Sequence, residues 1–583
     1  MKRREQSQTE QLRRALSERE AQLQEAQARL AALEASTSLQ VGRALAEAAK
    51  RPGRGLVRLP RDLFRLWRGA TRTTQAGGAR RRRSAQPVRS YDAERQETRL
   101  LSGTAGAHGD RLVVAGVLSP EAHAAIEPYV RVVPLRPHDA QVVFDTIDAD
   151  VVLVSASAAS PGSPWAHVGD PAAADRTRAL HWVVSAAASR GVPAVLVRDA
   201  PAPPGLATVG FDHVHDGDLG VPLHRFNPIA TEPERETAPS YLPAAARPRP
   251  AVAALLDQLT ADGLGQRTPD WRTLPEALRG AAGVVVADPG LAQRALACGT
   301  RALLLDTPNS DADAGLPDGV LRTAAVHAGS LRSGETQREL SVLRTSGALT
   351  PEEVRATLRT LFLERATPAR LADILGRVEL APGAGGAART LRHRSVALLA
   401  HPTDDVASLA LADDVLNQLH APAEVVVPRG AEHLTGIERL RSHGVPLRTA
   451  DVEPTAEPTP AHWAGLAAAA DAPWTALWRA SSGAGYLADL LCAAECSGAD
   501  AVGPAIAPWS VAADDGSAMN WADQDYVFVS AIEPELARRE LVLRGLHPGV
   551  WNRHGARLLA LGPARESGRD AEHGRVHSAP STG

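Results

Sequence analysis

Short apolar runs alternate with amphipathic stretches from residue 111 onward. A helical stretch over residues 177–189 ends at Arg190-Gly191, and a β-branched run follows it at once. Continuous apolar runs of four to six residues are typical of strands that are buried on both faces of a parallel sheet. Runs of this kind before residue 200 are 112–117, 130–135, 151–155 and 194–197. The alternation predicts an α/β domain with crossover helices over residues 111–240.

The same alternation recurs twice further along the chain. Residues 241–380 carry apolar runs at 283–287 and 302–305 with a helical stretch between them, and a third unit over 395–563 opens with runs at 395–399 and 424–427. Thr350-Pro351-Glu352-Glu353 predicts a helix start with Thr as the cap, Pro in the first turn and a capping box. We therefore expect three α/β domains, with a linker at 381–394 and a disordered tail at 564–583.

The first 38 residues show a different period. Leu16, Leu23 and Leu30 repeat every seven residues, and mostly charged residues and Gln fill the remaining positions. This pattern predicts a short coiled coil that forms a homo-oligomer contact through residues 10–35. The alternative is a solvated single helix.

Residues 39–110 combine a basic amphipathic segment with a linker. Thirteen Lys and Arg face two acidic residues between Leu39 and Ser84. Leu63, Leu66 and Trp67 stand among arginines, which suits the surface of an anionic membrane. The alternative is a helix that packs on the protein body. The Gly- and Ser-containing remainder has the composition of a disordered linker.

Composition narrows the class of protein. The chain has 583 residues, 44% of them hydrophobic, and a formal net charge of −3, which does not favour nucleic-acid binding. Neither a run of about 20 apolar residues nor a signal-peptide core occurs, so we expect a cytoplasmic protein, peripheral at the inner face of the membrane. Cys492 and Cys496 lie four residues apart in a helical segment, and we expect buried small side chains there rather than a metal site.

Two blocks in the second domain carry a family resemblance. Residues 274–278 and 294–300, followed by Thr367-Pro368-Ala369-Arg370-Leu371, resemble the CgeB/YkvP-type spore maturation protein-like glycosyltransferases. The resemblance implies two Rossmann-like domains (GT-B-like) with a nucleotide sugar in the cleft and its phosphates at a helix N-terminus. It assigns donor binding to the following residues: Arg294, Cys298, Gly299, Thr300 and Arg370. Arg294 stands where family members commonly carry a Glu for the nucleotide ribose, and a cation cannot accept those bonds.

The third domain resembles the family-2 (GT-A-like) glycosyltransferases. The resemblance rests on 395–427, on 472–478 and on 486–503. It implies aspartates that bind a divalent ion, but Pro428-Arg429-Gly430 and residues 479–483 stand where carboxylates are expected. We therefore expect a degenerate domain with no metal and no other cofactor. Asp523 and Asp525 are candidates for a general base, and the alternative for both is a solvated loop.

Two functional hypotheses follow from these resemblances. In the first, the protein is a hexosyltransferase-type enzyme that transfers sugar from a nucleotide sugar to a cell-surface, cell-envelope or spore-coat glycan. In the second, it is a catalytically inactive relative, an oligomeric and membrane-associated scaffold for a partner enzyme. The missing carboxylates favour the second, whereas the family resemblance favours the first, and the alternative for Arg294 is that it pairs with a phosphate.

Overall fold

A computed structural model describes most of the chain after residue 110. The N-terminal heptads, the basic segment, the tail and Asp523 lie outside the described residues. The described residues are 111–229, 236, 238–243, 248, 250–305, 326–327, 340–341, 343–345, 348–378, 380, 386–452, 458–479, 483–506 and 525–562. They form a mixed α/β body, as the alternation of apolar runs predicts, and all belong to one compact unit.

The first sheet has the strand order β2-β1-β3-β4-β5, and all of its pairs are parallel. Its strands are β1 (Val113–Val117), β2 (Arg131–Pro134), β3 (Val151–Ser155), β4 (Ala194–Val197) and β5 (His213–His215). Every residue of β3 and β4 is buried. This is the flavodoxin-like order, in which the strand sequence reverses between β1 and β3.

The second sheet repeats this topology. Its order is β10-β9-β8-β6-β7, and all of its pairs are parallel. When its five strands are numbered 1 to 5 along the chain, the order from the β7 edge is again 2-1-3-4-5. Its strands are β6 (Ser240–Tyr241), β7 (Gly265–Gln266), β8 (Val284–Val286), β9 (Ala302–Leu304) and β10 (Val326–His327). The reversal lies between β6 and β8.

The third sheet is mixed. Its order is β13-β12-β11-β14-β17-β15-β18-β16, with β17 antiparallel to both of its neighbours. Its strands are β11 (Val396–Leu399), β12 (Glu424–Pro428), β13 (Leu447–Ala450), β14 (Trp474–Leu477), β15 (Ala501–Gly503), β16 (Val527–Val529), β17 (Leu536–Arg538) and β18 (Leu558–Ala560). The parallel half, 3-2-1-4 in local order, is a Rossmann-type half-sheet.

Helices cover the faces and edges of the sheets. Those of the first two domains are α1 (Pro120–Ile126), α2 (Ala140–Thr146), α3 (Ala174–Ser189), α4 (Pro250–Ala261), α5 (Leu274–Gly280), α6 (Pro289–Ala297), α7 (Pro351–Thr360) and α8 (Thr367–Gly376). The remainder are α9 (Gly386–Leu391), α10 (Asp405–Leu416), α11 (Thr435–Ser442), α12 (Pro460–Ala468), α13 (Tyr486–Ser497) and α14 (Arg539–Val542). The capping box at Thr350 and Glu353 is confirmed at the start of α7.

Helix α8 links the first two domains. It follows α7 after a π-turn at Leu361–Arg365, and Leu371, Ile374 and Leu375 pack into the same core cluster as Leu112 of the first sheet. The second domain therefore ends on the face of the first. Residues 386–394, assigned by sequence to a linker, form α9 and a 3-10 turn, and Arg389 of α9 bonds to the Arg111 carbonyl at 2.9 Å.

Helix α13 attaches the third domain to the other two. Asp489, Cys492 and Cys496 follow each other at the i, i+3, i+7 spacing of one helix face. Asp489 pairs with Arg359 of α7, and the Cys492 thiol contacts the Leu358 carbonyl at 3.6 Å. Both cysteines are buried and free, which confirms the expectation of small packing side chains. Next to this face, Glu495 accepts a hydrogen bond from the Tyr129 hydroxyl of the first domain at 3.0 Å.

No helix within the described residues is long and apolar enough to cross a membrane.

Candidate functional site

Polar side chains cluster where the first sheet reverses its strand order. Ser119 follows β1, Ser155 ends β3, Ser157 lies two residues further and Asp199 follows β4. The Ser157 hydroxyl lies 2.5 Å from Asp199 Oδ2 and 2.8 Å from the Ser119 hydroxyl, and the Ser157 amide donates to Asp199 Oδ1 at 2.8 Å. Ligands of open α/β sheets bind outside the carboxyl ends of the strands at this reversal.

Asp199 is the group in this cluster that is best suited to exchange a proton. Burial raises the pKa of Asp199, and the hydrogen bonds from Ser157 oppose that rise. The negative charge of the Glu121 carboxylate, on α1, also raises the pKa of Asp199. A carboxyl group with a raised pKa in a cleft is a candidate for general acid or base work.

Acidic side chains line the facing edge of the second sheet. Asp288 follows β8 and caps α6, where its Oδ2 accepts the Leu291 amide at 3.0 Å. Asp218 follows β5 of the first sheet, accepts the Gly220 amide at 3.0 Å and approaches Gly290 in the first turn of α6, because a Cβ built on that glycine would lie 2.9 Å from Asp218 Oδ2. Two carboxylates therefore stand at the N-terminus of α6, the end at which the helix dipole favours anions.

Arg294 of α6 supplies positive charge in the cleft. Its Nη1 donates to Glu121 Oε1 of the first domain at 2.8 Å, and its Nη2 lies 4.0 Å from Asp218 Oδ2. Burial acts to lower the pKa of Arg294, but the carboxylates of Glu121, Asp218 and Asp288 more than offset it, so that the pKa is raised. Its Nε is buried and makes no hydrogen bond to the described part of the chain. Arg294 thus joins the two domains across the cleft.

Further cations lie near Arg294 or share a neighbour with it. The Arg225 guanidinium lies over the Trp271 ring, 4.6 Å from its centroid, and Arg272 lies 5.3 Å from the same centroid. Burial lowers the pKa of Arg225, and the positive charge of Arg294 lowers it further, whereas the Glu121 carboxylate raises it. Arg370, in the first turn of α8, is half-buried, and burial with the Arg365 charge lowers its pKa while Asp218 opposes. The structure thus brings Arg294 and Arg370 to a shared neighbour, Asp218.

The other residues assigned to donor binding lie elsewhere. Cys298, Gly299 and Thr300 follow the C-terminal end of α6, just before β9, and since β8 and β9 are parallel this end lies at the amino edge of the sheet. Gly299 has φ +73°, which favours glycine at a helix end. The Thr300 hydroxyl donates to the Leu278 carbonyl at 2.7 Å. These residues end α6 one turn after Arg294, whose carbonyl accepts the Cys298 amide at 3.2 Å, and no bond from them to the side chain of Arg294 occurs among the described residues.

The carboxyl edge of the third sheet carries a cation where a metal site would need carboxylates. Arg479 follows β14, and its Nη2 donates to Glu533 at 2.8 Å. Its Nε lies 3.9 Å from Glu535, whose pKa is raised by burial although Arg479 opposes. Among the residues that the structure describes, no group of His, Cys, Asp and Glu side chains is suited to hold a metal ion.

Asp525 is engaged in packing rather than placed on a solvated loop. Its Oδ2 pairs with Arg355 of α7 at 2.5 Å and its Oδ1 accepts the Gly562 amide at 2.6 Å. Its side chain is 17% exposed. A carboxylate with these partners ties the third domain to the second and is poorly placed to accept a proton from an acceptor sugar.

Sequence reasoning missed the residues that line the cleft. Ser119, Ser157 and Asp199 each come within two residues of a strand's carboxyl end, and this position was the available signal. Glu121 and Asp218 had no such signal, because only the meeting of two domains places them at Arg294.

Comparison with protein-family models gives no match to the chain. Nor does any curated protein match it in sequence.

Proposed function

We propose that the protein is a two-Rossmann, GT-B-like glycosyltransferase that takes a hexose from a nucleotide sugar and transfers it to a cell-envelope or spore-coat glycan. The observation that carries the proposal is a pair of parallel sheets of identical strand order whose domains meet at the Glu121–Arg294 bond. The first domain brings the Ser119, Ser157 and Asp199 cluster and Asp218 to this meeting point, and the second brings Arg294. The resemblance of residues 274–300 to the CgeB/YkvP-type family supports the same assignment.

The cations of the cleft fit the diphosphate of a nucleotide sugar. Arg225, Arg294 and Arg370 all lie near carboxylates that an incoming anion has to displace or neutralise. Planar guanidinium groups bind phosphate oxygens in pairs, which fixes the donor without a metal ion. The Trp271 ring holds the guanidinium groups of Arg225 and Arg272 close together, 4.6 and 5.3 Å from its centroid.

The transfer step needs a proton acceptor, and Asp199 fits this part. The acceptor hydroxyl oxygen bonds to the anomeric carbon while the bond from that carbon to the phosphate oxygen breaks. The phosphate leaves with the bonding electron pair, and the hydroxyl proton passes to the Asp199 carboxylate. Asp199 thereby replaces Asp523 and Asp525 as our choice of general base.

The third domain enters the proposal as a degenerate GT-A-like unit without catalysis of its own. Arg479 stands at the carboxyl end of β14 and pairs with Glu533, and Asp525 pairs with Arg355. These pairs also support the second hypothesis, in which the whole protein is an inactive scaffold for a partner enzyme.

Donor binding separates the two hypotheses. Thermal unfolding of the full chain is followed with UDP- and GDP-sugars, with and without manganese. Binding at 100 times the Kd stabilises the folded protein by about 2.7 kcal/mol, which raises the melting temperature measurably. We expect a shift that does not need manganese and that disappears in Arg294→Gln. The absence of a shift with every nucleotide sugar would reject the enzyme and leave the scaffold.

A further inference from the structure

The ion pair between Glu121 and Arg294 connects the two walls of the cleft. Glu121 lies in the first turn of α1, after β1 of the first sheet, and Arg294 lies on α6, after β8 of the second. The 2.8 Å bond between them spans 173 residues of sequence. In the proposed function, this pair stands where the donor's anionic group binds.

The three carboxylates around Arg294 are not equivalent. Asp288 is engaged as the cap of α6, and Asp218 is fixed by the Gly220 amide. The Glu121 side chain makes its hydrogen bond within the described residues to Arg294 and is 40% exposed. Glu121 can therefore turn into solvent without breaking another bond, whereas the two aspartates cannot.

Arg294 also has donor capacity that Glu121 does not use. Glu121 accepts at Nη1, and the nearest carboxylate oxygen to Nη2, Asp218 Oδ2, lies 4.0 Å away. A phosphate group, with several terminal oxygens, can accept from Nη1 and Nη2 together, since both lie at the outer end of the planar guanidinium.

We infer that the Glu121 carboxylate occupies the position of a ligand phosphate on Arg294 and is displaced when a nucleoside diphosphate binds. The inference rests on the proposed function, because it concerns the same cleft. Two anions compete for one guanidinium, and the exchange leaves neither Arg294 nor Glu121 as a buried unpaired charge, because the diphosphate replaces the carboxylate and Glu121 turns into solvent. Glu121 then keeps weakly bound anions out of the cleft and sets the affinity for the donor.

Calorimetric titration of the full chain with UDP, GDP and inorganic pyrophosphate tests the inference. Glu121→Gln keeps the size and hydrogen bonding of the side chain but removes the competing charge. We expect the variant to bind each probe about five to ten times more tightly than the unaltered protein. Arg294→Gln is expected to weaken binding at least about tenfold, and adding Glu121→Gln to it should restore nothing, since the competition acts through Arg294.

Glu127→Gln is the matched control. Glu127 caps the other end of α1, its side chain is 67% exposed, and its charged contact is with His123. Glu127→Gln removes the same charge from the same helix as Glu121→Gln. If Glu127→Gln also binds the probes more tightly, the gain is an effect of net charge and the inference is wrong.

The outcomes separate this inference from the proposed function. If the unaltered protein binds UDP or GDP, Arg294→Gln loses binding and Glu121→Gln binds no more tightly, the displacement of Glu121 is wrong and donor binding stands. If neither the unaltered protein nor Glu121→Gln binds any probe, the proposed function fails and the inference fails with it. Melting curves of each variant establish that the comparison is made on folded protein.

Discussion

Arg359 and Asp489 join the second and third domains through two parallel hydrogen bonds, Nε to Oδ1 and Nη2 to Oδ2, each 2.6 Å long. Asp489 is 5% exposed and lies on the face of α13 that docks against α7. The hydrogen bonds to Asp489 raise the pKa of Arg359. A bidentate pair in this position fixes both the distance and the rotation between two helices.

Removing one member of this pair should therefore be costly. Asp489→Asn leaves the Arg359 cation half-buried without its counter-ion, and we expect a loss of about 3 kcal/mol in the free energy of unfolding. Urea unfolding measures the loss. Asp413→Asn is the control, because Asp413 pairs with Arg439 at 2.7 Å but both side chains are exposed. The control should lose less than about 1 kcal/mol, and equal losses in the two variants would contradict the role given to burial.

Glu495 should make stability depend on pH at the junction of the first and third domains. Burial on its own raises the pKa of a carboxyl group, but Arg394 and His393 lower the pKa of Glu495 to about 2. The pKa of Glu495 is therefore lower in the folded chain than in the unfolded chain, where it is near 4.5. Such a group stabilises the folded protein at a pH above 4.5, and this stabilisation is lost as the pH falls toward 2.

The measurement is the difference in unfolding free energy between the unaltered protein and Glu495→Gln at each pH. We expect a constant difference above about pH 5 and a decrease of up to about 3 kcal/mol between pH 5 and pH 2. Tyr129→Phe removes the hydroxyl that donates to Glu495 but keeps the carboxylate, so it should retain most of the pH dependence. A difference that stays flat down to pH 2 would show that Glu495 keeps an ordinary pKa.

Local sequence signals were sufficient for the architecture. β3 and β4 are continuous β-branched and apolar runs because parallel strands bury both faces, and the structure places them at Val151–Ser155 and Ala194–Val197. The start of α7 was predicted from a capping box whose two bonds lie within four residues. In each case the interaction that decides the structure lies within a few positions of the chain.

The candidate site was harder to predict from the sequence, because the residues in contact there are far apart along the chain. Glu121 and Arg294 are 173 residues apart, and Tyr129 and Glu495 are 366 apart, so no local pattern records either pair. The sequence motif Cys298-Gly299-Thr300 suggests a donor-binding site, but in the structure these residues cap and follow the C-terminal end of α6. A short motif whose residues also suit a helix end cannot by itself place a ligand.

Asp525 should act on stability and not on donor binding. Asp525→Asn weakens the contact with Arg355, whose side chain is 10% exposed, and we expect a loss of about 2 to 3 kcal/mol in unfolding free energy. Its affinity for UDP or GDP should equal that of the unaltered protein. Asp199→Asn is the comparison, and we expect normal nucleotide affinity with transfer reduced at least about 100-fold. Reduced transfer in Asp525→Asn without a loss of stability would return the base role to Asp525.

The basic segment before the described residues makes a separate prediction from sequence. Arginines beside Leu63, Leu66 and Trp67 should bind vesicles that contain anionic lipid, with an affinity that falls as salt rises. Co-sedimentation of the full chain should lose this binding when residues 56–83 are deleted. Neutral vesicles are the control, and unchanged sedimentation of the deletion variant would reject the membrane contact.

Gly220 tests how closely the two sheet domains meet beside the cleft. Its φ is +81°, and a Cβ built on it would lie 2.5 Å from the Arg365 carbonyl oxygen and 2.8 Å from Arg370 Cγ. Gly210 has a comparable φ of +91° but nothing within 4 Å of such a Cβ, so Gly210→Ala carries the backbone strain alone, about 1 to 2 kcal/mol.

Gly220→Ala should add about 1 to 3 kcal/mol to that loss, because the obstructing atom is backbone and the neighbouring bridge between Val221 and Ala366 has to shift. The shift also moves Arg370 relative to Asp218, and we therefore expect weaker nucleotide binding in Gly220→Ala but not in Gly210→Ala. Urea unfolding and calorimetric titration with UDP measure the two effects. Equal stability losses would mean that the domains part easily at this point, and unchanged UDP affinity in a destabilised Gly220→Ala would separate Arg370 from the donor site.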